Sequence, residues 1–483
     1  MRGGAAQPPL IVDLDGTLTP TDTLMESALV LVRKSFWRAL MLPLWLVRGR
    51  AVLKQELARR VQLDMNGLPW RADFLSYLGE QRAQGRRLIL ATAAHKDIAE
   101  SAAAHLGLFD DVLATEGGLN LKGRNKLDAI RRLVGEPFVY AGDSSADLVV
   151  WQSASAAVLV GVSAATRSHA ERLVPVERDF PAQHMGLRDW ASALRVHQWV
   201  KNLLVLVPLL TAFSFLDLGH LSHALVAMAA FCLMASGTYL INDMVDIPND
   251  RRHPRKRLRM LASGRMNIPQ AVLATIGLLA FGLLLGLSVS IAFAGMMLLY
   301  LIMTLSYSLL LKRYVLLDVL SLAALYTVRI VAGSVAIGVS LSTWLLAFSM
   351  FLFFCLALVK RCAELMTLKA SGRMATTGRD YMVQDLTVLW PMGVASAVGA
   401  TLVMGLFIQA PETIARFNLP ELLWLTMPCL MYWLGRLWIK TSRGEMHDDP
   451  VVFALKDRGS RYTVLAVLMV FLLARFWSKG WAL

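Results

Sequence analysis

Residues 238–250 read Thr238-Tyr239-Leu240-Ile241-Asn242-Asp243-Met244-Val245-Asp246-Ile247-Pro248-Asn249-Asp250. They close an apolar run that starts near residue 221, and Arg251, Arg252, Arg255, Lys256, Arg257, Arg259 and Arg265 follow. Roughly 20 apolar residues are enough for a helix to cross a bilayer, and basic loops stay on the cytoplasmic side. On a helix Asp243, Asp246 and Asp250 stand at i, i+3 and i+7, within about 60° of one another. Three carboxylates on one face repel, and each costs ~2.5–3.5 kcal/mol at the bilayer centre. A divalent cation relieves both penalties, and Mg²⁺ favours a few carboxylates together with substrate phosphates. The stretch predicts a membrane domain with a metal-dependent site at a cytoplasmic helix end.

Eight more apolar stretches surround this one, at about 203–218, 270–289, 291–311, 316–338, 342–363, 387–408, 420–439 and 462–478, so nine spans are predicted. Pro208 and Asp217 interrupt or end the first of them. Basic residues alternate by loop. Arg195 and Lys201 precede the first span, and Lys312 and Arg313 separate the fourth from the fifth. Lys360, Arg361, Lys369, Arg373 and Arg379 lie around the next basic junction, and Arg436, Lys440, Arg443, Lys456, Arg458 and Arg461 around the last. The pattern puts the N-terminal part in the cytoplasm and, with nine spans, the C-terminus outside an inner (cytoplasmic) membrane.

Composition agrees. The 483 residues carry a net charge of 49 − 35 = +14, are 56% hydrophobic and only 17% charged, against roughly 25% charged in an average soluble domain. A disordered chain, a collagen and a purely soluble enzyme are excluded, and four cysteines exclude a disulfide scaffold. No nucleic-acid partner is expected. The apolar excess begins after residue 199, so two domains are predicted, 1–185 and 186–483.

The first domain opens on Leu10-Ile11-Val12-Asp13-Leu14-Asp15-Gly16-Thr17-Leu18, a short apolar strand ending in two carboxylates. Apolar strands of a parallel sheet deliver their C-terminal residues to the rim where α/β sites form. There one carboxylate attacks phosphorus and the other moves protons. Arg87-Leu88-Ile89-Leu90-Ala91 ends in Thr92, and Pro137-Phe138-Val139-Tyr140-Ala141 ends in Gly142-Asp143-Ser144-Ser145-Ala146-Asp147. Asn125-Lys126 opens a helix-like stretch between them. A hydroxyl, a cation and further carboxylates suit a Mg²⁺-bound phosphoryl group. Lys122 competes with Lys126 for the cation's place, and Asp97 and Asp128 with Asp147. A cap insertion is expected over about 25–80, and its segment 36–48 (Phe36 to Arg48) is read as interfacial, with Trp at headgroup level.

These four motifs, in this order, resemble those of haloacid dehalogenase-type phosphatases over about residues 8–165. The resemblance implies an α/β, Rossmann-like domain with a small cap, with Asp13 as nucleophile and Asp15 as general acid/base. It implies that Thr92 and Lys126 bind phosphate and that Asp13, Asp143 and Asp147 hold Mg²⁺.

The stretch from Asn242 to Asp250 is similar to the first Asp-rich motif of the UbiA superfamily of intramembrane prenyltransferases, whose nine-span, all-α architecture is then implied. The second Asp-rich pair of ordinary members is missing. The sixth span ends instead in Lys360-Arg361-Cys362-Ala363-Glu364-Leu365. That pattern, with Arg195–Asn202, Gly378-Arg379-Asp380-Tyr381 and Asp449–Arg458, resembles the decaprenyl-phosphate phosphoribosyltransferase branch. The resemblance implies Mg²⁺ held by Asp243, Asp246 and Asp250, phosphates held by Lys201, Lys360 and Arg361, and substrate bound by Asn242, Glu364, Arg379, Asp380 and Tyr381. Glu364 alternatively pairs with Lys360 one turn away.

The expected activity is transfer of 5-phosphoribose from phosphoribosyl diphosphate to a polyprenyl phosphate, with the first domain removing the 5-phosphate of the lipid product. One Mg²⁺ is expected in the first domain and one or more in the second. Prenyl transfer to an aromatic acceptor is the alternative, and a transporter or scaffold with a regulatory phosphatase-like domain is the alternative of another class.

Overall fold

The computed structural model describes residues 7–116, 120–372, 374–375, 379–446 and 449–477; Arg373 and Gly378 lie outside them. The chain divides into two compact units, one of residues 1–194 with 239–275, the other of 195–238 with 276–483.

The first unit is built on six parallel strands: β1 (Leu10–Val12), β2 (Leu88–His95), β3 (Asp111–Thr115), β4 (Val139–Gly142), β5 (Ala156–Val160) and β6 (Val176–Phe180). Their order is β3-β2-β1-β4-β5-β6. Because alternate side chains face opposite ways, β1 feeds both faces. Leu10 and Val12 pack with Leu88, Leu90, Val139 and Ala141, and Ile11 packs with Ile89, Ala91 and Tyr140 on the other side. Burial on both faces explains why β1 and the adjoining parts of β2 and β4 read as apolar runs. Leu10 pairs with Leu88 on one side and Val139 on the other, so β1 lies where the strand order reverses. Ligands bind at such a reversal, beyond the C-terminal strand ends.

Between β1 and β2 run helices Thr23–Lys34, Phe36–Ala39, Leu42–Val47 and Arg50–Arg60. Leu31, Trp45, Leu53, Leu57 and Val61, from the first, third and fourth of these and the residue after the last, form a small core. The 36–48 segment is thus divided: Trp45 is buried under the Arg60 guanidinium, whereas Trp37 is 78% and Val47 86% exposed. Helix Ala72–Ala83 instead sends Phe74 and Leu78 into the core of the sheet.

The unit also takes in residues 239–275. Arg251 donates to both Glu26 carboxylate oxygens, at 2.6 and 3.1 Å, and to Ala262 O at 3.0 Å. Glu26 is buried and also accepts from the Thr21 hydroxyl at 2.7 Å. Arg252 pairs with Asp64 at 2.7 Å and Arg33 with Asn249 at 3.1 Å.

Among the described residues eight helices, not nine, are long and apolar enough to cross a membrane: Leu218–Arg252, Ile268–Val289, Ile291–Leu309, Leu317–Ile337, Thr343–Ala370, Val383–Gln409, Pro420–Ser442 and Arg458–Phe476. The expected first span is broken into Val196–Leu206, Val207–Thr211 and Ser214–Leu216, the outer two being 3-10 helices. Pro208 brings no N–H and sits in the first turn of a new helix, where proline is tolerated. Phe213 then takes a left-handed φ of 54°, and Asp217 accepts from the N–H groups of Gly219 and His220 as the next helix begins.

In the second unit, helices Leu317–Ile337, Thr343–Ala370 and Leu386–Gln409 share the largest buried cluster. A Cβ on Gly333 would lie 2.0 Å from the Val205 carbonyl, so only glycine permits this approach. Cys232, Cys355 and Cys362 are buried thiols, consistent with packing roles.

Candidate active sites

The ends of β1, β2 and β4 meet. Asp13 follows β1, and its Oδ2 accepts from Lys126 Nζ at 2.6 Å while Oδ1 accepts from Leu14 N at 2.8 Å. Lys126, in helix Arg124–Val134, also donates to the Tyr140 hydroxyl at 2.8 Å and lies 3.9 Å from Asp147. The Tyr140 hydroxyl in turn donates to Asp147 Oδ1 at 2.8 Å. The other Asp147 oxygen is fixed by the N–H groups of Asp143 and Ser144 and by the Ser144 hydroxyl. Thr92 is fully buried within β2, three residues before its end, its hydroxyl accepting from Ala94 N. Asp15 accepts from Thr23 N at 2.8 Å. Gly16 has φ +76°, and a Cβ there would stand 2.1 Å from Asp143 Oδ2, so the turn after Asp15 requires glycine. Lys122 is exposed, and Lys126 is the cation that touches Asp13.

Burial, joined by the charges of Asp22 and Asp13, pushes the Asp15 carboxyl up to about 7, with the Thr23 N–H pulling the other way. Burial and then Asp147 and Asp13 push Asp143 up to about 8. Burial also raises Asp13 against the pull of Lys126. Burial pulls Lys126 down, but Asp13 and Asp147 more than offset it and hold the ammonium above its ordinary value. Asp15 is poised to give and take a proton near neutrality. Asp13, Asp143 and Asp147 each offer an oxygen, and these lie within 4.8 Å of one another. Crowded, partly protonated carboxylates with hard oxygen donors fit a Mg²⁺ ion, which would supply charge neutralisation at a phosphoryl group.

Asn242, Asp243, Asp246 and Asp250 stand on the last turns of helix Leu218–Arg252. Asp243 and Asp250 are buried, and Arg259 bridges them at 3.1 and 2.6 Å. Arg259 thus answers part of the repulsion for which a divalent cation is expected. Among the described residues these oxygens do not converge as those of Asp13, Asp143 and Asp147 do.

In the second unit Lys201 and Lys360 both donate to Asp449 Oδ2, at 2.8 and 3.1 Å. Burial raises the Asp449 carboxyl, but Lys360 and Lys201 outweigh it and hold it well below the usual carboxylate range. Arg361 does not join them. It is buried, pairs with Asp318 and Glu364, and lies over the Tyr381 ring at 5.0 Å. Tyr381 donates to Asp318 at 2.5 Å, and Arg379 reaches Glu364 at 3.0 Å. The alternative Lys360–Glu364 pair is not formed among the described residues: Lys360 pairs with Asp449, and Arg361 and Arg379 pair with Glu364. Asp380 is exposed, its N–H bonded to Arg313 O at 3.0 Å.

The UbiA prenyltransferase family matches residues 205–456, over half of the chain. The chain belongs to that family. Ahead of the UbiA domain, residues 10–150 match haloacid dehalogenase-like hydrolases, so an N-terminal domain of that type is joined to a multi-pass UbiA part. This UbiA protein is 38% identical over 469 residues to the uncharacterized protein y4nM of Sinorhizobium fredii, covering 96% of this chain and 91% of that one. It is 29% identical over 283 residues to the decaprenyl-phosphate phosphoribosyltransferase of Mycolicibacterium smegmatis, covering 57% of this chain and 88% of that one. A solved UbiA homologue from Archaeoglobus fulgidus bound to GPP and Mg²⁺ aligns with a TM-score of 0.45 at 18% identity, covering 58% of this chain and 99% of that one.

Several residues of these clusters are absent from the motif reading. Tyr140 lay inside a quoted strand, and Asp449 inside a quoted stretch, but neither was assigned a role. Arg259 was read only as part of the basic run, and Asp318 and Glu26 carry no local signal, since their partners lie in other elements.

Proposed function

We propose that this UbiA family protein performs two steps on one lipid. The UbiA part joins C1 of 5-phosphoribose, taken from phosphoribosyl diphosphate, to a polyprenyl phosphate. The N-terminal part then hydrolyses the 5-phosphate. The observation that carries this reading is the pair of ammonium groups, Lys201 and Lys360, gathered on Asp449. Two cations around one carboxylate suit a phosphate-bearing acceptor, and likeness to the phosphoribosyltransferases supports the same choice.

In the transfer, the bond from ribose C1 to the diphosphate oxygen breaks and a lipid phosphate oxygen bonds to C1. Diphosphate leaves with the electron pair. Asp243, Asp246 and Asp250 would hold Mg²⁺, which would supply charge neutralisation at the diphosphate. Lys201 and Lys360 would hold the acceptor's phosphate, and the Arg361–Glu364–Arg379 group the ribose end.

In the hydrolysis, Asp13 bonds to phosphorus as the ester oxygen leaves, and Asp15 gives that oxygen its proton. Asp15 then takes a proton from water as the water oxygen bonds to phosphorus and Asp13 is released. Lys126 and Thr92 hold the phosphoryl oxygens, and Mg²⁺ on Asp13, Asp143 and Asp147 would neutralise them. The exposed Trp37 and Val47 would let the cap rest on the lipid surface.

The test is to incubate purified protein with radiolabelled phosphoribosyl diphosphate and polyprenyl phosphate. Wild type accumulates a ribosyl lipid without the 5-phosphate, and Asp13→Asn accumulates the phosphorylated lipid. Absence of any labelled lipid overturns the transfer, and a phosphorylated product from both proteins overturns the second step.

A further inference from the structure

Lys54 stands on the cap helix Arg50–Arg60. Its Nζ donates to Ala93 O at 2.6 Å, one residue beyond Thr92, and to Asn120 Oδ1 at 3.0 Å. Asn120 is itself tied to Asn125, beside Lys126, at 3.0 Å. The cap ammonium therefore reaches both the strand that carries Thr92 and the loop that leads into the helix carrying Lys126. An ammonium has three donors. Two are spent on neutral acceptors, and among the described residues no carboxylate forms an ion pair with it.

Burial holds the Lys54 ammonium below its ordinary value. Of the charges acting on it, Asp15 is the largest, followed by Asp22 and then by the like charges of Lys122 and Arg50. Asp15 hands its proton to the departing alcohol, so the alcohol half of the substrate lies on Asp15's side. Lys54 is a cap cation on that side. A half-buried ammonium with a spare donor gains more from an anion than an exposed one does. A neutral alcohol would leave it unanswered.

We propose that Lys54, flanked by Arg50 and Lys122, is an anion subsite for the alcohol half of the phosphatase substrate. The substrate is then a phosphomonoester whose alcohol carries a second phosphate group. This deepens, and rests on, the two-step reading, in which the ribose losing its 5-phosphate is joined to the lipid through another phosphate.

The experiment measures kcat/KM of the full-length protein for butyl phosphate and for 1,4-butanediol bisphosphate. Two equivalent phosphates alone give a ratio of about two by counting. Wild type is expected to favour the bisphosphate about tenfold or more. Lys54→Met brings the ratio down towards the counting value, and Lys54→Arg keeps most of it. A wild-type ratio of two or less overturns the subsite, whatever the variants do. A Lys54→Met protein that loses rate equally on both substrates overturns it too, since that is the mark of a pin for the cap. Ribose 5-phosphate separates the two ideas. If wild type keeps its bisphosphate preference but hydrolyses ribose 5-phosphate no faster than butyl phosphate, the subsite stands and the ribosyl reading falls.

Discussion

Two sets of three aspartates, Asp13/Asp143/Asp147 and Asp243/Asp246/Asp250, differ in how they are carried. The first set comes from two strand ends and a turn, and its oxygens converge within 4.8 Å. The second set comes from one helix, where seven residues at 1.5 Å each separate its ends by about 10 Å. Sharing a face is not the same as sharing a point. Carboxylates from separate loops can close on one ion, whereas carboxylates along a helix need a counter-charge that spans them, and here Arg259 spans Asp243 and Asp250.

The contrast is open to test, and the largest effect falls on the convergent set. Asp13→Asn should lower hydrolysis of ribose 5-phosphate by on the order of 10⁴-fold or more, as loss of a nucleophile does, while labelled lipid still forms. Residual hydrolysis near wild type would remove Asp13 from the chemistry. Next, Asp243→Ala or Asp246→Ala should cut Mg²⁺-dependent lipid formation about 10²–10³-fold, the scale of losing one electrostatic contact to a leaving group. Wild-type turnover in both would remove this set from the chemistry.

A smaller effect is expected at Tyr140, which joins Lys126 to Asp147 through two hydrogen bonds of 2.8 Å. Tyr140→Phe should lower kcat about tenfold, equivalent to ~1.4 kcal/mol, with KM little changed. An unaltered kcat would mean that the carboxylates hold Lys126 unaided.

The smallest effect is on stability. Asp15 and Asp143 are raised from 3.8 to about 7 and about 8. Between the lower and upper values the folded domain holds more protons than the unfolded chain, so its stability falls as pH rises through that window. In EDTA the melting temperature of this domain should drop by several °C between pH 5 and 8.5, at about 2–4 °C per kcal/mol. Saturating Mg²⁺ should flatten the slope, and Asp143→Asn should shrink it. A melting curve that climbs with pH in EDTA would contradict the crowding of these carboxylates.

The same contrast explains what could be read without a structure. Strand-end motifs are local: an apolar run names the strand, and the residues after it name the chemistry. Asp13, Thr92 and Asp143 were legible for that reason, and so were the long membrane helices. The broken first span was not, because the hydropathy of 203–218 hides what Pro208 does to the backbone. Charge partners were also hidden. Lys360 has Glu364 at helical spacing yet pairs with Asp449, 89 positions away. Helix periodicity ranks neighbours on one element and is silent about charges arriving from others.

Glu26 and Arg251 stand 225 positions apart in the chain, one in the cap and the other just past the acidic helix turns. Both side chains are almost wholly buried, at 4% and 8% exposure. Losing one member of such a pair strands a charge in the interior, at about 3–5 kcal/mol, a large part of the ~5–15 kcal/mol that holds a typical protein together. Cutting the chain between the two residues would leave each piece with an orphaned ion, so the pieces expressed apart should be less stable than the joined chain.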